Sequence, residues 1–440
     1  MTRAKNGGKK ADATRQRVLD AAAKVFREKG YSGARLADIA AVADMQAGSL
    51  YYHFASREDL VEAVLRLGQE RTNGLVRARV AALPEGTSHI DRLSEAIRAH
   101  LATILELGDY TSATIRIIGQ VPEDIRRRRV ADQREHGLYW QHLLQEAQDA
   151  GEIRSDVDLS AVRMLMLGGL NSSTEWYDPG RGLPVDELGA QFATMFLDGL
   201  ATRRGAARRL VLPDETIAAV HSHGAAVAKQ PRRAATRARI LAAAADVFRE
   251  KGYAGTRLTD IAAAAGMQAG SLYYHFDSRE DLVAELVRLA WERTTTFVHQ
   301  SVEALPESAG EIDRLCTAMG AHLLSVLEAN AYTSALVRIL GQIPEEVRQK
   351  SVADQREYAR YWRDLLKAAA AAGKIRQDLD LAAMQMMLMN ALNWTVEWYR
   401  PDGRLRPEDI ASEFVSVVLD GLAVRRNTKR VLQTAVAGNA

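Results

Sequence analysis

The apolar positions near the start of the chain recur every three or four residues and then change register twice. Gly30 ends a first predicted helix whose apolar face consists of Val18, Leu19, Ala22, Val25 and Phe26. A shorter helix over 36–43 and a third helix over 47–54 follow, with a turn between them at Asp44 and Met45. Three short helices in this order are typical of a helix-turn-helix domain.

Longer helices are predicted after this domain. The segment from Ser56 to Asp59 resembles a capping box, and a long helix with apolar residues at helical spacing follows it. Beyond Pro84 the pattern predicts further helices near 88–107, 110–119, 122–150, 159–177 and 184–204. We therefore expect an all-α fold.

The second half of the chain repeats the first half with an offset of 222 and no gap. This offset aligns Thr14 with Thr236 and Trp140 with Trp362. Roughly 105 identities fall within about 191 aligned positions, far more than chance would give. Over roughly the first 47 aligned positions, about four in five residues are identical between the two halves. Over the remaining positions the fraction falls to about one in two. The chain is a tandem duplication, and we call its halves copy one and copy two.

Composition narrows the function only a little. The chain is 47% hydrophobic, 26% charged and 6% aromatic, which suits a helical globular protein. Its net charge of +2 is too small to indicate a nucleic-acid binder, so that argument must rest on individual positions. Cys316 is the only cysteine, which excludes an intrachain disulfide and a multi-cysteine zinc site. No apolar run approaches the roughly 18–20 residues that span a bilayer, so we expect a cytoplasmic protein with no membrane association.

Both copies contain motifs that resemble those of TetR-family regulators. Copy one has Gly-Tyr-Ser-Gly-Ala-Arg-Leu-Ala-Asp-Ile-Ala, then Met-Gln-Ala-Gly-Ser-Leu-Tyr-Tyr-His-Phe, then Ser-Arg-Glu-Asp-Leu. The resemblance covers both copies nearly whole. It implies two tandem modules, each with a three-helix helix-turn-helix DNA-binding domain and a helical ligand-binding and dimerisation domain. The modules would form an intrachain pseudo-dimer.

The resemblance and the repeat together divide the chain into seven segments. We expect a basic N-terminal arm over 1–12, DNA-binding domains over 13–60 and 235–282, ligand-binding and dimerisation domains over 61–204 and 283–426, a linker over 205–234 and a C-terminal tail over 427–440.

The resemblance also implies which residues contact DNA. They lie on the third helix of each DNA-binding domain, the recognition helix, and at the starts of neighbouring helices: Arg35, Gln46, Ala47, Gly48, Ser49, Tyr51, Tyr52, His53 and Arg57 in copy one, with Arg257, Gln268, Ala269, Gly270, Ser271, Tyr273, Tyr274, His275 and Arg279 in copy two. Gln can pair with adenine edges, and Ser, Tyr, His and Arg suit phosphate oxygens. Copy two adds Thr256 and Thr259 where copy one has alanine, and a threonine at a helix start can cap it or bind phosphate.

The two recognition segments, 45–54 and 267–276, are identical in sequence. We therefore expect both to read the same half-site, in a near-palindromic operator on double-stranded DNA.

The expected interface between the copies is less symmetric. By resemblance, the last two helices of each copy form a four-helix bundle. Copy one has Gly168, Gly169 and Ser172 there, whereas copy two has Trp394 at the position of Ser172. We expect Trp394 to fill space left by the small residues within one chain. The alternative is pairing between chains, which would give higher oligomers.

An effector site is expected in the larger domains. The segment 393–403 is similar to a C-terminal motif of TetR-type repressors of fatty-acid and steroid degradation, which respond to acyl-CoA thioesters. Aromatic and polar residues that could line an apolar pocket are Tyr110, Arg116, Trp140, Asn171 and Trp176, with Tyr332, Arg338, Trp362, Asn393 and Trp398 in copy two.

The expected function is therefore a ligand-responsive regulator, most simply a repressor that a small apolar effector releases from DNA. The rival is an architectural DNA-binding protein that tolerates many sequences and senses nothing. An enzyme finds little support, because no phosphate loop, metal cluster or nucleophile motif occurs, and no cofactor or metal is expected.

Overall fold

A computed structural model describes residues 2–117, 121–180, 182–200, 232–253, 255–329, 331–340 and 342–422. Every regular element in these ranges is a helix, which confirms the all-α prediction. None of the described helices is long and apolar enough to cross a membrane.

Copy one contains nine helices in the described ranges. They are α1 (Thr2–Gly33), α2 (Leu36–Val42), α3 (Ala47–Leu50), α4 (Arg57–Ala81), α5 (His89–Glu106), α6 (Gly108–Ile117), α7 (Glu123–Asp149), α8 (Leu159–Trp176) and α9 (Val185–Leu200). The expected N-terminal arm is thus continuous with α1 from Thr2 onward.

Copy two repeats this order with small breaks. Its helices are α10 (Arg232–Lys251), α11 (Leu258–Ala264), α12 (Ala269–Leu272), α13 (Arg279–Glu303), α14 (Glu311–Leu324), a π-helical turn (Ser325–Ala329), α15 (Ala331–Ile339), α16 (Glu345–Lys350), α17 (Val352–Ala371), α18 (Leu381–Asn393), α19 (Thr395–Trp398) and α20 (Pro407–Leu422). Helix α10 begins inside the expected linker. The rest of that linker and the expected tail lie outside the described residues.

Left-handed residues form the turns of each DNA-binding domain. Gly30 has φ 68° and interrupts α1, and Gly252 has φ 67° after α10. The turn before the recognition helix places Asp44 at φ 53° and Gly266 at φ 65°. Glycine enters this region freely and Asp tolerates it, so the residues that occupy the turns are suited to them.

The recognition helices are shorter than the predicted span 47–54. The α-helical part of copy one ends at Leu50, and residues 51–53 continue as turns in which the His53 N–H donates to the Leu50 carbonyl at 2.9 Å. The next helix starts at Arg57, where the Ser56 hydroxyl oxygen accepts a hydrogen bond from the Asp59 N–H at 3.0 Å. Ser278 caps α13 in the same way.

The buried apolar residues form one shared core and two separate ones. Each DNA-binding domain has its own core, to which α6 or α15 contributes. The larger domains of the two copies instead share a single core, where α8 packs on α18 and α9 packs on α20.

Reciprocal polar contacts frame this four-helix interface. Arg154 of copy one donates to Asp420 of copy two at 2.6 Å, and the matching Arg376 donates to Asp198. The backbone N–H groups of both N-cap residues, 158 and 380, also donate to a side chain of the other copy. Such self-complementary pairs are the mark of a twofold interface, here formed by two halves of one chain.

Candidate DNA-binding surfaces and effector region

The recognition segments of the two copies present matching surfaces. Gln46 and Gln268 begin their helices with nearly equal backbone angles, φ −77° and ψ 141° against φ −73° and ψ 144°. The adjacent tyrosines of each segment, Tyr51 with Tyr52 and Tyr273 with Tyr274, are all exposed. Tyr52 and Tyr274 are 90% and 81% exposed. The predicted contact residues Gln46, Ala47, Gly48, Gln268 and Gly270 are also exposed, while Ser49, His53, Ala269, Ser271 and His275 are partly exposed. Both segments can therefore meet DNA with the same groups.

An arginine from the first helix holds the end of each recognition segment. Arg237 donates to the carbonyl oxygen of His275 at 2.5 Å, and its guanidinium lies 4.1 Å from the centroid of the Phe276 ring. Arg15 lies over Phe54 in copy one at 4.7 Å. Sequence reasoning missed this pair, although the same arginine stands at the same place in both copies.

The arginines that open α4 and α13 are packed against the protein. The Arg279 guanidinium lies 4.0 Å from the centroid of the Tyr253 ring and donates to the Thr256 carbonyl at 3.2 Å. Arg57 lies 4.1 Å from the Tyr31 ring in the same way. Burial and the hydrogen bond to Glu280 raise the pKa of Tyr253 to about 12, so the tyrosine stays neutral beside the cation. Only the solvent-facing edge of each guanidinium group is therefore available to bind a DNA phosphate.

The expected phosphate contact by Thr256 is wrong. Its side chain is 1% exposed, and its hydroxyl donates to the Gly252 carbonyl at 2.7 Å. The hydroxyl thus closes the turn between α10 and α11. Thr259 is exposed, as are Arg35 and Arg257 at the starts of α2 and α11.

Two surface cavities lie on the DNA-binding domains. In copy two an open groove of about 610 Å³ runs between the recognition segment and the start of α13, and its lining includes Arg257, Thr259, Tyr273 and Arg279. In copy one a smaller cavity of about 260 Å³ lies where the recognition segment ends and α4 begins, and its lining includes Arg15, His53 and Arg66.

The residues expected to line an effector pocket in each copy do not all lie together. Tyr110 belongs to the core of the DNA-binding domain, where its hydroxyl donates to Asp20 at 2.7 Å. Tyr332 lies in the corresponding core of copy two under Arg293. Trp140 belongs instead to the shared core, as does Trp362. The side chains of Arg116 and Arg338 lie outside the described residues.

A polar cluster surrounds Trp140 inside the shared core. His100 Nε2 lies 2.9 Å from the Oδ1 atom of Asn171, and the Trp140 indole donates to His136 Nε2 at 3.0 Å. The two histidine rings stack with their centroids 5.7 Å apart. Burial lowers the pKa of His100 to about 4 and that of His136 to about 3, so both rings are neutral near pH 7. Trp140 and Asn171 are among the residues predicted from the sequence, whereas His100 and His136 are not.

Copy two builds the same cluster with one different member. His322 Nε2 lies 3.1 Å from Asn393 Oδ1, and its Nδ1 atom lies 2.9 Å from the hydroxyl of Tyr358, which replaces His136. Trp362 is fully buried, and its indole ring lies edge-on to the Tyr358 ring with the two centroids 6.2 Å apart.

Trp176 and Trp398 pack against the last helix of their own copies. Each indole centroid lies 6.2 Å from a phenylalanine ring, Phe192 and Phe414 respectively. They are half-buried at the margin of the shared core.

At the interface, Trp394 lies directly against Gly168. A Cβ atom placed on Gly168 would come within 2.8 Å of Trp394 Cβ, Cγ and Cδ1, closer than real contacts allow. Gly169 instead faces Met387, and the Ser172 hydroxyl donates within its own helix to the Gly169 carbonyl at 2.8 Å.

Family models match both copies. The model of bacterial regulatory proteins, tetR family, matches residues 18–64 and 240–286, and that of the tetracyclin repressor-like C-terminal domain matches residues 86–200 and 308–422. The HTH-type transcriptional repressor KstR2 of Rhodococcus jostii is 30% identical over 200 residues, which are 43% of this chain and 93% of that protein. The fatty acid metabolism regulator protein of Bacillus subtilis is 24% identical over 185 residues, 42% of this chain and 93% of that protein. The solved structure of the ketosteroid regulator KstR2 of Mycobacterium tuberculosis aligns with a TM-score of 0.40 at 24% identity and covers 43% of this chain and 95% of its own.

Proposed function

The chain belongs to the TetR family of DNA-binding transcriptional repressors, with two family modules in tandem, and we propose that it works as a covalent dimer on one operator. One chain binds a near-palindromic site with its two recognition segments. A small apolar effector, of the acyl-CoA class, releases it.

The observation that carries this proposal is the sameness of the two recognition segments. Their ten residues are identical, their first backbone angles agree within a few degrees, and both expose the same glutamine and tyrosines. Side chains that read base edges in the same geometry select the same bases. Two equal half-sites of opposite direction therefore make the best operator.

The polar frame of the shared core supports pairing within one chain. Four polar residues of each copy form hydrogen bonds to the other copy around α8, α9, α18 and α20. Trp394 also packs directly on Gly168. The contact is specific, because Ser172 could not fill the place that Trp394 fills.

The DNA contacts we propose are the predicted ones without Thr256. Gln46 and Gln268 read base edges, and the exposed tyrosines together with Arg35 and Arg257 bind phosphates. Arg57 and Arg279 chiefly position the turn before α4 and α13 by stacking on tyrosine.

A sequence motif and two relatives support effector control. The motif in segment 393–403 and the names of two relatives, a KstR2 repressor and a fatty acid metabolism regulator, favour an acyl-CoA thioester. Release would follow from a population shift, in which the effector favours a spacing of the recognition segments that does not match successive major grooves.

Selection of bound sequences from random DNA tests the operator claim. The expected outcome is a near-palindrome, and two unrelated half-sites would contradict it. Tyr52→Ala and Tyr274→Ala are matched probes, each expected to weaken binding to the selected site by a similar factor, about tenfold. If octanoyl-CoA and longer acyl-CoAs all leave the complex intact, the effector class is wrong. Equal affinity for unrelated DNA would favour the architectural alternative.

A further inference from the structure

The polar contacts of the four-helix interface do not distinguish one copy from the other. Arg154 and Arg376 occupy equivalent positions, as do their partners Asp420 and Asp198. The same ion pairs could therefore form between two copies of one kind. The N–H groups of the two N-cap residues likewise meet a side-chain oxygen on each side. Any choice of partner must come from the apolar centre of the interface, where the copies differ.

At this centre copy one has two adjacent buried glycines, Gly168 and Gly169 of α8. Trp394 of copy two lies against the first glycine and Met387 against the second. A Cβ atom on Gly168 would lie 2.8 Å from Trp394 Cβ, and one on Gly169 would lie 2.9 Å from Met387 Cγ, both closer than ordinary contact. The glycines thus form a depression in the surface of copy one that two side chains of copy two occupy.

Copy two has no such depression. Its equivalent positions are Asn390 and Ala391, which both carry a Cβ atom. Because the interface is nearly twofold, a pair of two copy-two modules would place Asn390 where Gly168 stands. Trp394 of each module would then lie about 2.8 Å from a Cβ atom, the distance that glycine avoids, and this overlap would occur twice. Overpacking of this kind destabilises an interface.

A pair of two copy-one modules has the opposite defect. Ser172 stands at the position of Trp394, and serine is much the smaller residue. The Ser172 hydroxyl donates to the Gly169 carbonyl of its own helix at 2.8 Å, so its polar group is already satisfied there. The depression at Gly168 would stay unfilled on both sides, and the lost contacts would destabilise this pair.

We propose that the surface of copy two around Trp394 accepts the glycine surface of copy one and excludes a second copy two as a partner. Of the three possible pairings, the pairing of unlike copies alone has neither an overlap nor a void. The covalent connection raises the local concentration of the matching copy, so each copy finds its partner in its own chain. The inference rests on the proposed covalent dimer and adds a pairing rule to it: two chains do not join through like copies.

Exchange of two residues between the copies of the full chain tests this rule. Gly168→Asn with Ser172→Trp gives copy one the surface of copy two, and Asn390→Gly with Trp394→Ser does the reverse. Each pair of substitutions alone should lower the melting temperature of the shared core by about 4 °C or more, through overlap in the first chain and a void in the second. All four together should restore it to within about 2 °C, because tryptophan again faces glycine.

The chain with all four substitutions is its own control for helix propensity. It has the same composition as the original chain, and the exchanged residues have only changed places between α8 and the end of α18. If the losses came from propensity rather than from contact between the copies, they would add instead of cancelling.

Co-expression of the two chains that carry one pair of substitutions each tests partner choice directly. In one chain both copies then carry tryptophan, and in the other both carry glycine. We expect complexes with one chain of each kind, which native mass spectrometry separates from like complexes by mass. If either chain does not fold, the chain with all four substitutions still tests the rule.

The rule is overturned if the chain with four substitutions loses as much stability as both pairs added together, or if the first pair leaves the melting temperature unchanged. Co-expressed chains that stay separate, or that form like complexes as often as mixed ones, also overturn it. Failure of the proposed function looks different: a chain that binds no near-palindrome can still recover its stability through the exchange. Absent recovery, while one original chain binds one operator, rejects the pairing rule alone.

Discussion

A single methyl group at Gly168 should disturb the interface between the two copies. In Gly168→Ala the new Cβ would lie 2.8 Å from three atoms of Trp394, including its Cβ. The Trp394 Cβ is fixed to the backbone and cannot rotate away, so α8 and the Trp394 backbone must move apart until the two Cβ atoms are at least 3.4 Å apart, the start of ordinary contact.

The expected loss follows from two opposing effects. Overpacking of this kind destabilises by about 1–3 kcal/mol, while alanine in place of glycine inside a helix stabilises by about 0.5–1 kcal/mol. The net loss is centred on about 1 kcal/mol and is at most about 2.5 kcal/mol, and each kcal/mol should lower the melting temperature of the shared core by about 2–4 °C. Scanning calorimetry measures the shift.

Gly74→Ala is the matched control, because Gly74 lies inside α4 and a Cβ placed on it would meet no atom of another helix within 4 Å. This variant should be slightly stabilised. In a protein that already carries Trp394→Ser, Gly168→Ala should add little further loss of stability, because the atoms that it would meet are gone. If Gly168→Ala melts like Gly74→Ala, the packing of Trp394 on Gly168 does not exist in solution.

Four further substitutions test other contacts. Thr256→Ala should keep its operator affinity but lose about 1 kcal/mol of stability, whereas Thr259→Ala should weaken operator binding with unchanged stability, as fluorescence anisotropy and thermal melts can show. Tyr110→Phe removes the hydroxyl that donates to Asp20, so copy one should lose about 1 kcal/mol in melts, and unchanged stability would dismiss that hydrogen bond. Burial lowers the pKa of His100 from 6.5 to about 4, so this histidine takes up a proton when the protein unfolds in that pH range. The free energy of unfolding should therefore fall as the pH drops from 6.5 toward 4. In His100→Gln the free energy of unfolding should depend less steeply on pH.

The local features of the fold could be predicted from sequence because short-range chemistry fixes them. Gly30 interrupts α1, Gly252 follows the end of α10, and Asp44 and Gly266 occupy left-handed turns, all within a few residues of the pattern that indicates them. The end of the recognition helix was harder to predict from the sequence. Phe54 follows Leu50 at helical spacing, and that spacing reveals the buried face but not where regular hydrogen bonding stops.

Features that depend on packing between distant segments could not be predicted from the pattern of apolar and polar residues. A threonine at a helix start can face solvent or the interior, and Thr256 is buried because its hydroxyl closes the turn on Gly252. Tyr110 and Trp140 look alike as candidate pocket residues, yet they belong to different cores. The histidine cluster requires three helices to converge, and nothing near His100 in sequence indicates it.

The mass of the protein on its selected operator decides whether one chain is a complete DNA-binding unit. Light scattering or native mass spectrometry should find a 48.4 kDa chain free in solution and one such chain on each palindrome. A free species of twice that mass, or two chains on one palindrome, would show that the copies pair between chains instead.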